Sequence, residues 1–340
     1  MLLLLPMLQD LELRGISMTQ GETEYLTESP VASIRSLILS TGYLRTESNQ
    51  CQLGLQLRLF SLFAAIQSLK LDIYYDTECV CLECRPEQVQ ENGFVYWCTD
   101  DYYEDLFQIH PVNKLPVKIE KLDVSEQIGD TVIAILLKMV PQLPTVNDLT
   151  SLSFKCRYPE VSRYSADILR ACGPRLRECV IEMDADEYTA VVFLEGTGGP
   201  SEWRFLSKAL AECTNLTTLK LTGEVEICWS DADMLLVAIF MVLLADAHLS
   251  SIQHLTIQLG FWWRLVPDAD RTLMENRVRD GVDWEEFRRI LRQCIALKGL
   301  TVLGYVFNYT ACRLFCNEFS RIVKEELAEW VERKELRVEF

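Results

Sequence analysis

The chain has 340 residues, of which 49% are hydrophobic and 24% are charged. With only 15 glycines and 11 prolines, this composition excludes a collagen-like chain and a largely disordered one, because enough apolar mass is present to form a core. The formal net charge of −17 disfavours binding to nucleic acid or to an anionic membrane surface, since like charges repel.

A short apolar pattern recurs along the chain: an aliphatic residue, two further residues, an apolar residue, one residue and another apolar residue. Its nine full copies begin at Leu8, Ile34, Ile66, Ile119, Leu149, Leu176, Leu216, Ile252 and Leu297, and Leu336-x-Val338 is a shortened tenth copy. Most successive copies are roughly 26 to 45 residues apart, a spacing typical of solenoid repeats. The last two apolar positions alternate with polar ones, which predicts a strand with one buried face. Because each strand is too short to be stable alone, we expect the strands to lie side by side in a parallel sheet.

Helical patterns separate these strands. Met234–Ala245 is an apolar run of about 12 residues, short of the roughly 20 that span a bilayer, so it predicts a buried helix. A capping box, Asp283 with Glu286, marks the start of another helix. The apolar faces with helical spacing are Ile133, Leu136, Leu137 and Val140; Phe205, Leu206, Ala209, Leu210 and Cys213; Trp284, Phe287, Ile290, Leu291 and Cys294; and Phe319, Ile322, Val323, Leu327 and Trp330. Strands that alternate with crossover helices indicate an α/β fold.

Segments 206–221 and 287–297 each contain a helix that ends in a cysteine, with the next strand two to four residues later. These segments and the terminal Leu327–Phe340 resemble divergent leucine-rich repeats, in particular the repeat region of fungal F-box-type proteins. The resemblance implies a single leucine-rich-repeat solenoid over residues 1–340, with a curved parallel sheet on the concave face and helices on the convex face. It also implies a substrate-recognition region of a ubiquitin-ligase adaptor, with the ligase scaffold as a partner. The F-box itself is not seen, because Leu8 already opens a strand.

The repeat spacing is interrupted near residues 76–115, 184–200 and 261–282, which we interpret as insertions. In the first, strands Glu78–Cys84 and Phe94–Thr99 are predicted to form a hairpin joined through Pro86 and Asn92-Gly93; an additional, poorly patterned repeat is the alternative. The second ends in Gly196–Pro200, which lacks the Lys-Ser/Thr of a phosphate-binding loop and indicates a flexible connection. The third contains Trp262-Trp263-Arg264 among charged residues and is predicted to be a mobile loop.

Four cysteines of the first insertion, Cys79, Cys81, Cys84 and Cys98, could supply thiolate ligands to a structural zinc ion. Their spacing lacks the two separate Cys-x-x-Cys pairs of a typical zinc site, and Cys84 falls on the opposite strand face from Cys79 and Cys81. Buried strand cysteines are therefore the favoured interpretation, and metal or ligand binding by the insertion is the alternative function. No cofactor is predicted.

The sequence carries no pattern typical of a catalytic site. Only three histidines occur, which disfavours histidine-based catalysis. Ser250 and Ser251 lie close to His254 in sequence, but no nucleophile elbow accompanies them, so we interpret His254 as a surface residue. The chain is predicted not to be an enzyme.

We expect a protein-interaction scaffold, because the residues between the buried positions of each strand face outward as a rigid ladder. The partner-binding residues predicted on this basis are Asp10, Glu12, Ser36, Ser68, Lys70, Lys121, Asp123, Ser151, Ser153, Glu178, Thr218, Lys220, His254, Thr256 and Thr301. Trp262 and Trp263 are added as an exposed aromatic contact, since adjacent strand residues cannot both face the core. For these two residues, packing over the sheet edge is the alternative. The expected partner is a protein, with no role for nucleic acid or membrane.

The cysteine content indicates the compartment. Thirteen cysteines, an odd number, occur without a convincing secretory signal. The apolar Met1–Leu8 has neither a basic region nor a small-residue cleavage site. A reducing compartment, the cytoplasm or the nucleus, is therefore expected.

Overall fold

A computed structural model describes residues 9–14, 32–41, 63–74, 90–91, 94–95, 118–128, 141, 146–156, 159–184, 203–227, 235–245, 247, 249–263, 271–306, 310–333 and 335–339. The fold is α/β, with a parallel sheet of ten strands and with helices in the connections. The prediction of an α/β chain with a parallel sheet is therefore confirmed.

The described residues form twelve strands and seven α-helices. The strands are β1 (Asp10–Arg14), β2 (Ala32–Thr41), β3 (Phe63–Tyr74), β4 (Gln90–Glu91), β5 (Phe94–Val95), β6 (Lys118–Ile128), β7 (Ser151–Cys156), β8 (Glu178–Asp184), β9 (Thr218–Ile227), β10 (His254–Trp263), β11 (Gly299–Val306) and β12 (Leu336–Glu339). The helices are α1 (Pro159–Cys172), α2 (Arg204–Ala211), α3 (Leu235–Ala245), α4 (Arg271–Gly281), α5 (Trp284–Gln293), α6 (Thr310–Glu326) and α7 (Ala328–Glu332).

The strand order follows the chain. The ten-stranded sheet has the order β1-β2-β3-β6-β7-β8-β9-β10-β11-β12, and β4 pairs separately with β5. Parallel neighbours require a crossover between strands, which the intervening helices provide in the later part of the chain. The chain divides into two compact units, residues 1–152 and 153–340. The prediction of one solenoid over the whole chain stays a prediction.

In the first unit, strands β1, β2, β3 and β6 align the recurring apolar pattern row by row. Leu37 pairs with Leu11 on one side and with Leu69 on the other, and Leu69 in turn pairs with Leu122. Leu37, Leu69 and Leu122 are buried, so this inward row forms a continuous apolar core. The prediction that the short apolar ladders lie side by side and parallel is confirmed in this unit.

The second unit has the same arrangement in β8 to β12. One inward row passes through Cys179, Leu219, Leu255, Leu300 and Leu336 in strand order. The first four are completely buried, whereas Leu336 in the last strand is half-buried. Full burial of a leucine side chain contributes about 1.5–3 kcal/mol, so such rows are a large part of the stability of the unit.

A repeated hydrogen-bond pattern marks the amino ends of the strands in the second unit. The Thr217 carbonyl accepts hydrogen bonds from the N–H groups of Gln253 and His254, at 2.8 and 3.0 Å. The carbonyls of Arg177 and Gln253 each accept an equivalent pair of bonds from the strand that follows. These bonds satisfy backbone groups at the start of each strand and fix the register of the rows.

Helix α5 begins where the capping box predicts. The Asp283 carboxylate accepts a hydrogen bond of 2.9 Å from the Glu286 N–H. The five apolar positions predicted for this helix are buried, and the Trp284 indole donates to the Val278 carbonyl. The sequence therefore determined both the start of α5 and its buried face.

The other described helices bury the predicted apolar faces, with one exception. Phe205 of α2 is half-buried rather than buried. Helix α3 begins at Leu235 and is largely buried, as the apolar run predicts. Helix α1 was not among the predicted elements. None of the helices that the structure describes is long and apolar enough to cross a membrane.

An arginine–glutamate cluster joins α4, α5 and α6. Its members are Glu275, Arg279, Arg288, Glu318, Arg321, Glu325 and Glu326. The Arg279 guanidinium lies 2.6 Å from Glu325 Oε2 and 2.8 Å from Glu326 Oε1, and Arg321 lies 3.0 Å from Glu275 Oε1. Arg321 also pairs with Glu318, whose side chain is only 6% exposed. The cluster thus compensates the buried charge of Glu318 and links α4, α5 and α6 through ion pairs.

This cluster makes stability depend on pH. Hydrogen bonds from Arg279 and Arg321 lower the pKa of Glu275 and Glu325 below the ordinary value of 4.5. A folded-state pKa below the unfolded value gives stability that is complete above about pH 4.5 and is lost as the pH falls. We expect Arg321→Gln to lower the free energy of unfolding at pH 7, and its difference from wild type to shrink as the pH falls towards 3. Urea denaturation at a series of pH values measures this.

Arg289→Gln is the matched control, because Arg289 pairs with Glu286 within its own helix. The control is expected to cause a smaller loss than Arg321→Gln. An Arg321→Gln difference that stayed constant from pH 7 to pH 3 would contradict the role of the cluster.

The first insertion differs from the predicted hairpin. Strand β5 begins at Phe94 as predicted, but its partner is β4, with Glu91 opposite Phe94 and Gln90 opposite Val95. The predicted partner strand Glu78–Cys84 lies outside the described residues. The two-residue segment Asn92-Gly93 explains the difference, because such a short connection pairs the residues directly on either side of it.

The predicted loop at 261–282 was wrong for residues 261–263 and 271–281, which form a strand end and a helix. Phe261, Trp262 and Trp263 end strand β10, and Phe261 pairs with Val225 of β9 and with Val306 of β11. Residues 271–281 form helix α4, which the arginine–glutamate cluster fastens to α6. Flanking strands and ion pairs thus order a segment whose own sequence has no regular apolar pattern.

Several predicted features lie outside the described residues. They are the helix with Ile133, Leu136, Leu137 and Val140, the glycine-rich segment Gly196–Pro200, and the cysteines Cys79, Cys81, Cys84 and Cys98. The alternative of metal or ligand binding by the first insertion stays a prediction.

Candidate protein-binding surface

The face of β8 to β12 opposite the apolar rows is called the open face here. Alternation along the strands places these side chains away from the core. Its members are Glu178, Val180, Glu182, Thr218, Lys220, Thr222, Glu224, His254, Thr256, Gln258, Gly260, Gly299, Thr301, Leu303, Tyr305, Arg337 and Glu339. All are exposed or half-buried except Gly260.

The open face brings together six of the predicted partner-binding residues: Glu178, Thr218, Lys220, His254, Thr256 and Thr301. Lys220, Thr256 and Thr301 are in register on three consecutive strands. Neighbouring strands are about 4.8 Å apart, so one bound segment could contact an ammonium group and two hydroxyl groups at once.

In the first unit, the predicted residues occupy the equivalent outward positions. One row contains Asp10, Ser36, Ser68 and Lys121, and the next contains Glu12, Ile38, Lys70 and Asp123. Lys70 Nζ lies 3.8 Å from Asp123 Oδ2. Arg35 donates hydrogen bonds to Asp10 and lowers the pKa of that carboxyl. The predicted pair in β7, Ser151 and Ser153, is half-buried.

Charges on the open face are mixed. Glu182 lies 3.3 Å from Lys155 of the preceding strand, and Arg337 pairs with Glu339. Within the described parts of the chain, Lys220 has no carboxylate within 4 Å of its ammonium group. The face therefore presents the Lys220 ammonium group among hydroxyl side chains, with several acidic groups nearby.

His254 lies at the exposed amino end of β10, in agreement with a surface position. A Cβ added to its neighbour Gly299 would be 3.3 Å from His254 Nδ1, so the imidazole leans over the glycine. No described side chain forms a hydrogen bond with this imidazole.

Tyr305 crosses the open face above Gly260. A Cβ on Gly260 would lie 2.5 Å from Cζ and 2.6 Å from Oη of Tyr305, so only glycine leaves room for the phenol. The Tyr305 hydroxyl donates a hydrogen bond of 3.4 Å to Glu224 Oε1. An aromatic ring from β11 and a carboxylate from β9 thus meet across β10. We call these two residues the tyrosine–glutamate pair.

Neither residue of this pair is among the predicted site residues. Gly260 is the signal in the sequence that could have indicated it, because a glycine inside a strand often marks the close approach of another group. The group that approaches cannot be identified from the glycine alone.

Trp262 and Trp263 are the last two residues of β10. Their backbones pair with Glu226 and Ile227 of β9. Their side chains lie outside the part of the chain that the structure describes, so the predicted aromatic contact stays a prediction.

Cys156, Cys172, Cys179, Cys213, Cys294 and Cys316, the cysteines whose side chains the structure describes, are buried. Burial raises the pKa of the Cys172 and Cys213 thiols to about 12 and that of Cys294 to about 11. The Cys213 thiol donates to the carbonyls of Ala209 and Leu169. These thiols stay protonated at neutral pH, and the ones that follow helices pack the ends of those helices into the core.

No known protein family model matches the chain, and no curated protein has significant sequence similarity to it. The open face carries six of the predicted site residues together with the tyrosine–glutamate pair. Its geometry and chemistry therefore carry the functional interpretation.

Proposed function

We propose that the chain is a leucine-rich-repeat solenoid that acts as a non-enzymatic scaffold and recognises a partner protein through the outward face of its strands. In this proposal the strand face is concave and the helices lie on the convex side. The resemblance to fungal F-box-type repeats further suggests a substrate-recognition role in a ubiquitin-ligase adaptor.

The open face is the observation that supports the proposal. The backbone of its inner strands, β9, β10 and β11, is paired on both sides, and the repeated bonds at the amino ends of the strands fix the register. Three of the central side chains, Thr222, Thr256 and Thr301, are short and have few rotamers, so ordering them on binding costs little entropy. The surface is therefore preorganised for contact.

The size of the open face favours a segment of a partner over a whole domain. Five strands about 4.8 Å apart span about 20 Å, and six residue steps along a strand also span about 20 Å. The area is then roughly 400 Å², about half of what one partner of a standard protein complex buries. An extended peptide segment suits this area.

A bulky substitution at the centre of the open face tests the proposal. Thr256 lies between Lys220 and Thr301, and its side chain is half-buried on the face away from the core. We expect Thr256→Trp to reduce retention of specific proteins from a lysate of the source cells at least tenfold, because the indole occludes the surface. Quantitative mass spectrometry of proteins retained by the immobilised full-length chain measures this.

Glu285→Trp is the matched control, since Glu285 is exposed on helix α5, away from the open face. The control is expected to retain the same proteins as wild type, and both variants should melt at the wild-type temperature. Equal retention by Thr256→Trp and wild type would refute recognition through this face.

A further inference from the structure

The tyrosine–glutamate pair is a preformed feature at the carboxyl end of the open face. The phenol ring is held over Gly260, and its hydroxyl fixes the position of the Glu224 carboxylate through a hydrogen bond of 3.4 Å. Ring and carboxylate are both half-buried, which partly shields their interactions from water.

Acidic residues occupy neighbouring register positions. Asp184 is paired with Glu224, which is followed two residues later by Glu226, opposite Trp262. The formal net charge of the chain, −17, adds a long-range attraction for cations.

We infer that the tyrosine–glutamate pair binds an arginine side chain of a peptide segment in the partner protein. The guanidinium stacks on the tyrosine ring and donates hydrogen bonds to the Glu224 carboxylate. A planar guanidinium suits this combination better than an ammonium group, because it can stack on a ring and present its N–H groups in a fixed fork. This inference rests on the proposed function, since it names the chemistry that the open face recognises.

Selection from a random decapeptide library displayed on phage, with the full-length chain immobilised, tests the inference. We expect arginine to be enriched among peptides selected by wild type. The enrichment should fall to the level of the starting library on Glu224→Gln and on Tyr305→Ala. It should persist on Tyr305→Phe, which keeps the ring, and on the control Glu285→Gln, which removes an exposed carboxylate of α5.

A peptide obtained from this selection then tests whether binding depends on the charge of its arginine or only on the shape of that side chain. Citrulline has the shape of arginine without its charge. We expect the citrulline peptide to bind wild type at least tenfold more weakly than the arginine peptide, and the two to differ little on Glu224→Gln, as measured by fluorescence anisotropy. Thermal melting shows that each variant is folded.

Two outcomes overturn the inference. One is a selection without arginine enrichment, including one that returns no binder. The other is equal discrimination between arginine and citrulline by wild type and Glu224→Gln. If Thr256→Trp still abolishes retention of the partner in either case, the proposed function stands and only the arginine site is lost.

Discussion

Leu219→Asp is expected to abolish folding of the second unit. Leu219 is completely buried in the middle of the inward row, between Cys179 and Leu255. The substitution removes about 2 kcal/mol of apolar burial and places a carboxylate without a partner in the core, which costs several kcal/mol more. Globular domains have only about 5–15 kcal/mol of stability in total. Circular dichroism and the absence of a cooperative thermal transition measure the effect.

Thr218→Asp is the control for this substitution. Thr218 is adjacent in sequence but faces outward and is half-buried, so the same carboxylate should cost less than about 1 kcal/mol there. Leu219→Met, which nearly conserves volume, should also remain folded. A Leu219→Asp protein that melted near the wild-type temperature would show that this row is not the core of the unit.

Phe319→Ala is expected to reduce the free energy of unfolding by about 3–5 kcal/mol. Phe319 of α6 is 3% exposed, and its ring centroid lies 5.5 Å from that of Phe261 at the end of β10. It also lines an apolar cavity of about 30 Å³ between the sheet and helices α3, α5 and α6. The truncation enlarges a space that the surrounding side chains already leave unfilled, so little relaxation can offset the loss. Chemical denaturation measures the change.

Two comparison variants test whether the loss of unfolding free energy is specific to this packed position. Ile295→Ala removes an aliphatic side chain that is 82% exposed and should change stability by less than about 0.5 kcal/mol. Val302→Ile adds a methylene beside the cavity and should be neutral or stabilise by up to about 1 kcal/mol. A loss below about 1 kcal/mol for Phe319→Ala would contradict the packing of α6 on the sheet.

The two functional tests address different properties of one surface. Thr256→Trp changes its shape, whereas Glu224→Gln removes a single charge and nearly conserves shape. Their targets are also separated along the strands, because Thr256 is in register with Lys220 and Gly260 with Glu224. Loss of binding in one variant and not in the other therefore distinguishes contact over the whole face from recognition of a basic side chain.

The strands were predictable because the pattern that defines each strand lies within a few consecutive residues. Alternation of apolar and polar residues defines which side of a strand is buried, and a shift by one residue would expose the whole apolar set. Aligning Leu37 with Leu69, or Leu219 with Leu255, is thus the arrangement that buries both patterns. The capping box at Asp283 is equally local, because it involves residues three positions apart.

The elements that the sequence analysis missed either have a weak apolar pattern or depend on contacts with residues far away in the sequence. Helix α1 buries Ser165, Ala166 and Cys172 beside larger residues, so its face lacks the run of large aliphatic residues that marks the other helices. Helix α4 has a weak apolar pattern and is fastened through Arg279 to residues about 46 positions later in the chain. The end of β10 is paired on both sides with strands that its own sequence does not identify.

The sequence by itself determined the parallel rows and the polar set on their outward side, since both follow from a period of two residues within each strand. Only the tertiary structure decided that Tyr305 reaches Glu224 over Gly260. These two side chains are 81 residues apart, and they meet because two different strands flank the same third strand. No periodicity within a strand contains that information.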